Sequence, residues 1–565
     1  MGIKVNKIFL LLVLFLAVTF IFRFASVSFA RSVEPQSPVI RVGIMDSSFK
    51  FLDRSDVTIF GTSECYVCNS LSRSVVKKMP QNTEMKFTLD NDKYILTVKE
   101  NGINKTFDSK DGFTVTCPKG YIGVKGLVRG GKQALYRGAL QVVMITNQKS
   151  FYLINLVELE DYLKGVVPNE MPSYFGLAAL KAQAVAARNY AIKPRTKESR
   201  LYDVVDSVAS QVYFGYNTET PEGTKAVRET EGVVAIYNGE PILALYSSCA
   251  GGYTENYSYA FSDPDTKQFP APLKPYLIPH PDILGIPALN REDVAYKYYS
   301  TSPESYDIKS KYYRWTKCWT REELEKVLQQ NLPVQSRTGF VKPEFCDNTQ
   351  LGTLKALKVI RRGNSGKIMY LDIVTTNGKY QVSKELTIRR LLTKDGKALP
   401  SANVVFRVDT DSFDDISTIT AYGGGYGHGV GMSQYGASYM AQEVKSTFDE
   451  ILKHYYTGIS LGTIPVDIAE QPVTQTFYAP ERSRAVILIK DRKKLNSLQA
   501  VINGKKYDFD LSKYMNIQKC EIDISSYVNK GEENKITFIP ACQNRSVIST
   551  LRKGNISINL FIKLL

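Results

Sequence analysis

Apolar and polar residues alternate at period two near both ends of the chain, and a mixed, motif-rich stretch lies between. From residue 38 to about 132 the alternation predicts strands at 39–44, 93–98 and 113–116, with Asn101-Gly102 as a hairpin turn. From 471 to 565 it predicts strands at 485–490, 499–502, 519–524 and 535–539 around an Asn503-Gly504 turn, as in a β-sandwich. The stretch 462–474, with Pro465 and Pro472, reads as a linker before that module. In the middle, 134–143 and 152–156 read as strands. The period then turns helical at Leu177, Leu180, Ala184, Ala187 and Ala191. Further helices are expected at 221–230, 320–330, 387–392, 432–443 and 447–455. Asn238-Gly239 turns a hairpin whose second strand, 241–246, runs into Ser247. Residues 261–350 give the weakest pattern. The fold class is α+β, divided as 1–30, a β-rich region 38–133, a mixed core 134–465 and a β-rich module 466–565.

Just before the alanine-rich helix stands Pro168-Asn169-Glu170-Met171-Pro172. A proline fixes its own φ and disfavours helix at the residue before it, so a stiff turn is expected that presents Glu170. A carboxyl among apolar groups has a raised pKa, as a general acid near neutral pH requires. The structural alternative is a helix hairpin in which Glu170 is a charge at a helix N-terminus. The paired prolines favour the chemical reading.

Residues 423–431 carry glycine at 423, 424, 425, 427, 429 and 431 without the spacing of a phosphate loop. They suit either a tight backbone crossing or a sugar-binding wall with His428, Ser433, Gln434 and Tyr435 in a cleft. Residues 245–257, with Ser247, Ser248, Gly251, Gly252, Thr254 and Glu255, read as a plain hairpin exit or as the opposite wall.

Composition narrows the chemistry. The chain has 565 residues and a formal charge of +16, which suits a polyanionic partner. Its lysines are dispersed and no nucleic-acid-binding signature is present, so no nucleic-acid partner is expected. With three histidines and no HExxH, a zinc hydrolase lacks ligands. No GxSxG elbow exists, and no carboxylate is placed to orient His428 toward Ser247 or Ser248. Eight cysteines permit disulfides: Cys65 or Cys68 with Cys117, Cys318 with Cys346, Cys520 with Cys542. Lys4 and Lys7, the apolar run 8–22 and Ser28-Phe29-Ala30 predict an export signal ending at Ala30, or an uncleaved anchor if the run extends past Arg23.

PNEMP at 168–172, LKAQAVAARNYA at 180–191, ASQVYFGY at 209–216, LYSSCAGGYTENY at 245–257 and GGGYGHGVGMSQYGASYMA at 423–441 together resemble the SpoIID/LytB family of cell-envelope proteins. The resemblance covers 136 to about 465. It implies lytic cleavage of peptidoglycan glycan strands in sporulation-type members and amidase enhancement in LytB-type members. It matches Glu170 to a catalytic acid/base. It matches Arg188 to an Arg on the next helix that binds a lactyl or stem carboxylate or steadies a second anion. Gln183 is taken with Arg188 as substrate-binding. A lytic transglycosylase needs only one such acid, because the substrate's own hydroxyl is the nucleophile. Some members hold zinc through Cys and His near the 245–257 segment; Cys249 has no adjacent His, so no metal or cofactor is carried over. The expected partners are glycan strands, and in the alternative a cell-wall amidase. The expected location is the cell envelope. The module 471–565 is expected to be dispensable for chemistry and to serve targeting.

Overall fold

The computed structural model describes residues 38–145, 149–193, 201–468, 472–490, 497–511, 519–539 and 558–564. The expected export signal, Cys542 and the basic residues Arg492, Lys493 and Lys494 lie outside them. The fold is α+β. Among the described residues no helix is long and apolar enough to cross a membrane.

The sheets cut across the expected boundaries. In the first, Val39–Gly43 pairs antiparallel with Phe151–Glu158, which pairs in turn with Ala139–Met144 and then Phe113–Thr116. The N-terminal β-rich region and the core therefore share a sheet. Its strand Phe151–Glu158 feeds directly into the helix Leu159–Glu170. A six-stranded antiparallel sheet, from Lys132–Tyr136 to Ile103–Ser109, completes that end.

At the other end, Val233–Tyr237 pairs with Ser460–Thr463, which pairs with Ile558–Leu564, then Ala485–Lys490 and Lys519–Asp523. The C-terminal strands thus extend a core sheet, and a four-stranded sheet of Val473–Ala479, Glu532–Ile539, Ser497–Ile502 and Lys505–Asp510 lies beside it. The stretch read as a linker carries the strand Val466–Ile468 and parts of two others. One apolar cluster runs from Ile40 through Ala184 to Leu564. The weakly patterned region and the strands after it build a separate core around Trp319, Leu328 and Leu371.

The three Asn-Gly turns form as expected: Asn101, Asn238 and Asn503 have φ of 49°, 50° and 49°, the left-handed conformation that such two-residue hairpins demand. After Asn238-Gly239, however, pairing stops at Pro241, and Tyr246–Ser247 pairs in parallel with Met432–Ser433 instead. Of the proposed disulfides, Cys65, Cys68, Cys117, Cys318 and Cys346 are all free thiols. Cys318 is exposed on a strand opposite Thr420, whose hydroxyl donates to it at 3.7 Å, and Cys346 is also exposed.

Candidate functional site

The helix Leu159–Glu170 does not stop before Pro168, as the proline rule suggested; it includes Pro168 in its last turn and ends on Glu170. Two bonds hold that turn together: Asn169 Nδ2 donates to Gly165 O at 2.7 Å, and Met171 N–H to Val167 O at 2.9 Å. Asn169 Nδ2 also reaches Thr218 Oγ1 at 2.7 Å. Glu170 is thus at the C-terminal end of its helix, where the backbone carbonyls disfavour an anion. The structural alternative, an N-terminal charge, is excluded.

Around Glu170 the chain supplies donors rather than cations. Val212 N–H donates to Oε1 at 2.7 Å and Gln434 Nε2 to Oε2 at 3.4 Å. Burial pushes the carboxyl up to about 7, against the lowering effect of Val212, Gln434 and Tyr246. No cation and no second carboxylate is among the groups that shift it. The residue as a whole is partly buried, and its carboxyl is the buried part. A carboxyl in this state exchanges a proton near neutrality.

The alanine-rich helix Leu177–Ile192 packs behind this turn, buried on nearly every side. Its small side chains allow that approach. Gln183 is fully buried and accepts from Gln434 Nε2 at 3.4 Å, while its own Nε2 has no protein partner. Tyr162 and Gln211 back the site: Tyr162 Oη donates to Gln211 Oε1 at 3.1 Å, and Gln211 Nε2 donates to Tyr246 Oη at 2.9 Å.

Arg188 is on that helix but does not reach the cleft. It is fully buried, its Nε and Nη2 clamp Glu160 at 2.7 and 2.6 Å, and Nη1 donates to Val233 O at 2.9 Å. These three bonds join helix to sheet, a structural position for Arg188.

The glycine motifs meet each other. Cys249 and Tyr426 exchange backbone hydrogen bonds, at 3.3 and 2.8 Å. A Cβ on Gly251, where φ is 82°, would lie 2.8 Å from the Gly424 carbonyl carbon; one on Gly425 would lie 2.9 Å from Cys249 O. The two segments cross backbone against backbone, which only glycine permits. Asp307, fully buried, ties the crossing: Gly251 and Gly252 N–H donate to Oδ2 at 2.8 and 3.2 Å, and Ser433 Oγ donates to Oδ1 at 2.5 Å. No sequence signal singled out Asp307, which stands in the weakly patterned region.

Most of the proposed wall is therefore scaffold. Gly251, Gly252, Thr254, Glu255 and Ser433 are buried. Glu255 accepts from Asn256, Asn364 and Ser365 backbone N–H and from Ser365 Oγ. Thr254 and His280 bond each other. Ser433 Oγ also caps the helix Gln434–Tyr439. His428 Nδ1 accepts from Val430 N–H at 3.0 Å, and burial with nearby Lys367 and Arg389 lowers it to about 3, so the ring is neutral. Ser247 is buried with an unpartnered hydroxyl, and Ser248 O accepts Tyr435 N–H at 3.1 Å. Of the expected site residues, Gln434 is bonded to Glu170 and Gln183 is joined through Gln434.

Cys249 does not fit a zinc site. It is buried beside Asp307, burial raises its thiol well above the ordinary range, and no group of three His, Cys, Asp or Glu converges among the described residues.

Comparison with known proteins finds two family matches along the chain. Residues 147–237 match the family described as stage II sporulation protein, SpoIID, and 272–431 match a domain of unknown function, DUF8618. The chain is 34% identical over 306 residues to the amidase enhancer of Bacillus subtilis, which is 53% of this chain but 40% of that protein. It is 30% identical over 322 residues to stage II sporulation protein D of Bacillus subtilis, covering 54% of this chain and 75% of that one. An uncharacterized protein of Brachyspira hyodysenteriae is 28% identical over 371 residues, 65% of this chain and 79% of the other.

Proposed function

Because the chain belongs to the SpoIID/LytB family, we propose that it is an exported envelope protein that cleaves peptidoglycan glycan strands as a lytic transglycosylase. The observation that carries this reading is Glu170: a carboxyl raised to about 7 by burial, held by Val212 N–H and Gln434 and shifted by no cation. Near neutral pH such a group is populated in both protonation states, and one residue can act in turn as acid and base.

The steps balance on that one group. Protonated Glu170 gives its proton to the glycosidic oxygen as the bond to C1 of the muramic sugar breaks, and the neighbouring sugar leaves as an alcohol. The resulting Glu170 carboxylate takes the proton of the muramic 6-hydroxyl as that oxygen bonds to C1. The product carries a 1,6-anhydro ring, Glu170 is protonated again, and no water is consumed. Hydrolysis would instead call for a second carboxylate across the bond, which the transglycosylase steps do not require. Gln434 and Val212 N–H steady the anion between the two transfers.

A second reading is supported by the amidase enhancer relative: the chain stimulates a cell-wall amidase without cleaving glycan. Digestion of purified glycan strands, followed by mass spectrometry, separates the two. Anhydromuramic ends that disappear with Glu170→Gln are the expected result. Their absence from the parent protein, together with stimulation of an added amidase, would establish the second reading.

A further inference from the structure

Four tyrosines, Tyr174, Tyr435, Tyr312 and Tyr426, stand on the Glu170 turn and on the segments around the glycine crossing. Tyr174, two residues past Pro172, is 71% exposed, and its ring meets Phe175 edge-on at 5.2 Å. Phe175, buried, meets Tyr435 at 4.9 Å. Tyr435 follows Gln434, the side chain bonded to Glu170. Burial raises the Tyr435 phenol, with smaller contributions from Tyr174, Cys249 and Tyr312. Tyr312 meets Tyr426 with ring centroids 4.2 Å apart and the rings tilted by 30°, and Tyr426 is 43% exposed. Backbone bonds fix the order: Tyr435 N–H binds Ser248 O and Tyr426 N–H binds Cys249 O, on consecutive residues just past the strand Tyr246–Ser247.

We propose that Tyr174, Tyr435, Tyr312 and Tyr426 form a platform on which successive sugar rings of a polysaccharide stack, carrying the strand past Glu170. This rests on the glycan-cleaving reading and adds the residues that hold the strand. A tyrosine ring offers an apolar face to the C–H face of a sugar and a hydroxyl to its polar edge. Exposed rings of that kind, joined to a carboxyl poised for proton transfer, fit an extended chain of sugars. A protein seated on the same rings would cover the acid. Two buried polar groups nearby, Gln183 Nε2 beside Gln434 and Ser247 Oγ in register with Ser433, have no protein partner.

The test uses the full chain carrying Glu170→Gln, so that strands bind without being cut, and glycan fragments of increasing length. Affinity is expected to rise with length and then level off. Tyr174→Ala and Tyr426→Ala, at exposed positions, should each weaken long fragments by roughly threefold to tenfold, leave the shortest nearly unchanged, and reduce the gain with length. Tyr174→Phe should keep most of the affinity. Length dependence untouched by either Ala variant in folded protein would overturn the platform and leave the cleavage reading standing. No glycan binding by the unsubstituted chain would overturn both. Intact glycan binding with lost stimulation of an amidase would mark the tyrosines as a protein-docking surface and overturn the platform.

Discussion

The side chain of Gln434 donates to Glu170 Oε2 at 3.4 Å, joining positions 264 residues apart in sequence. Its helix is capped by Ser433, which Asp307 fixes to the glycine crossing. The donor that tunes the acid is therefore set by a backbone crossing built elsewhere in the chain.

That donor favours the ionised carboxyl. Removing it in Gln434→Ala should raise the pKa of Glu170 and move the alkaline limb of the pH–rate profile to higher pH, by less than about one unit for one long hydrogen bond. The parent limb should lie near the value of about 7 that burial imposes. A Gln434→Ala profile that coincides with the parent's would separate Gln434 from the acid.

Glu170 should also cost stability at alkaline pH. Its folded pKa, about 7, lies above the ordinary 4.5, so between the two the folded chain holds a proton that the unfolded chain has lost. The stability from this group is fully present below the lower value and disappears as pH rises through the upper one. Glu170→Gln, neutral throughout, should melt above the parent at about pH 8 and close to it at about pH 5, with a ceiling of about 3 kcal/mol set by the size of the shift. Calorimetry at the two pH values checks this; an equal difference at both would remove the linkage.

Arg188 should behave as structure. Breaking a buried, bidentate pair leaves an uncompensated charge, so Arg188→Ala should destabilise by about 3–5 kcal/mol, and Glu160→Gln by less. Activity per folded molecule and affinity for glycan should hold near the parent value in Glu160→Gln. A folded Arg188→Lys with normal stability and lost binding of carboxylate-bearing strands would restore the substrate role that the resemblance implies.

How much was legible depended on how far apart the interacting residues lie. The alanine-rich helix was readable because its signal is local, and it occupies Leu177–Ile192. The Asn-Gly hairpins were readable for the same reason. The role of Arg188 was not, since an arginine clamped to a glutamate 28 positions away looks the same in sequence as one facing a ligand. Asp307 was invisible: its partners are the backbone N–H groups of Gly251 and Gly252 and the hydroxyl of Ser433, 126 residues on. The glycine cluster was compatible with both readings, and only the approach of Gly251 to Gly424 identifies the crossing. Pro168 misled in part, because a helix can include proline where only its last turn remains.

Metal removal should leave activity unchanged. Cys249 is buried with a raised thiol beside Asp307, unlike a ligand held ready as thiolate. Cleavage in excess chelator should match cleavage without it. Stoichiometric zinc in the purified protein, lost in Cys249→Ser, would contradict this.

Removal of 471–565 should do more than affect targeting. The strand Ser460–Thr463 lies between Val233–Tyr237 and Ile558–Leu564, in register at Leu461↔Leu564 and Gly462↔Lys563. The close approach there is specific: a Cβ on Gly462 would lie 2.5 Å from Ile562 O. Tyr478 N–H donates to Glu231 O at 3.0 Å, and Phe477, Ile487 and Ile562 belong to the same apolar cluster as Ala184. Truncation at 470 would strip that cluster and leave an unpaired strand edge, a template for aggregation. Val233, whose carbonyl holds Arg188, is on the neighbouring strand. The expected result is a melting temperature lower by about 5 °C or more, or loss of soluble protein, with glycan cleavage falling in proportion to the folded fraction. A truncated chain that melts like the parent, cleaves soluble strands fully and loses only its binding to intact sacculi would show that the shared sheet contributes little and that the module serves targeting alone.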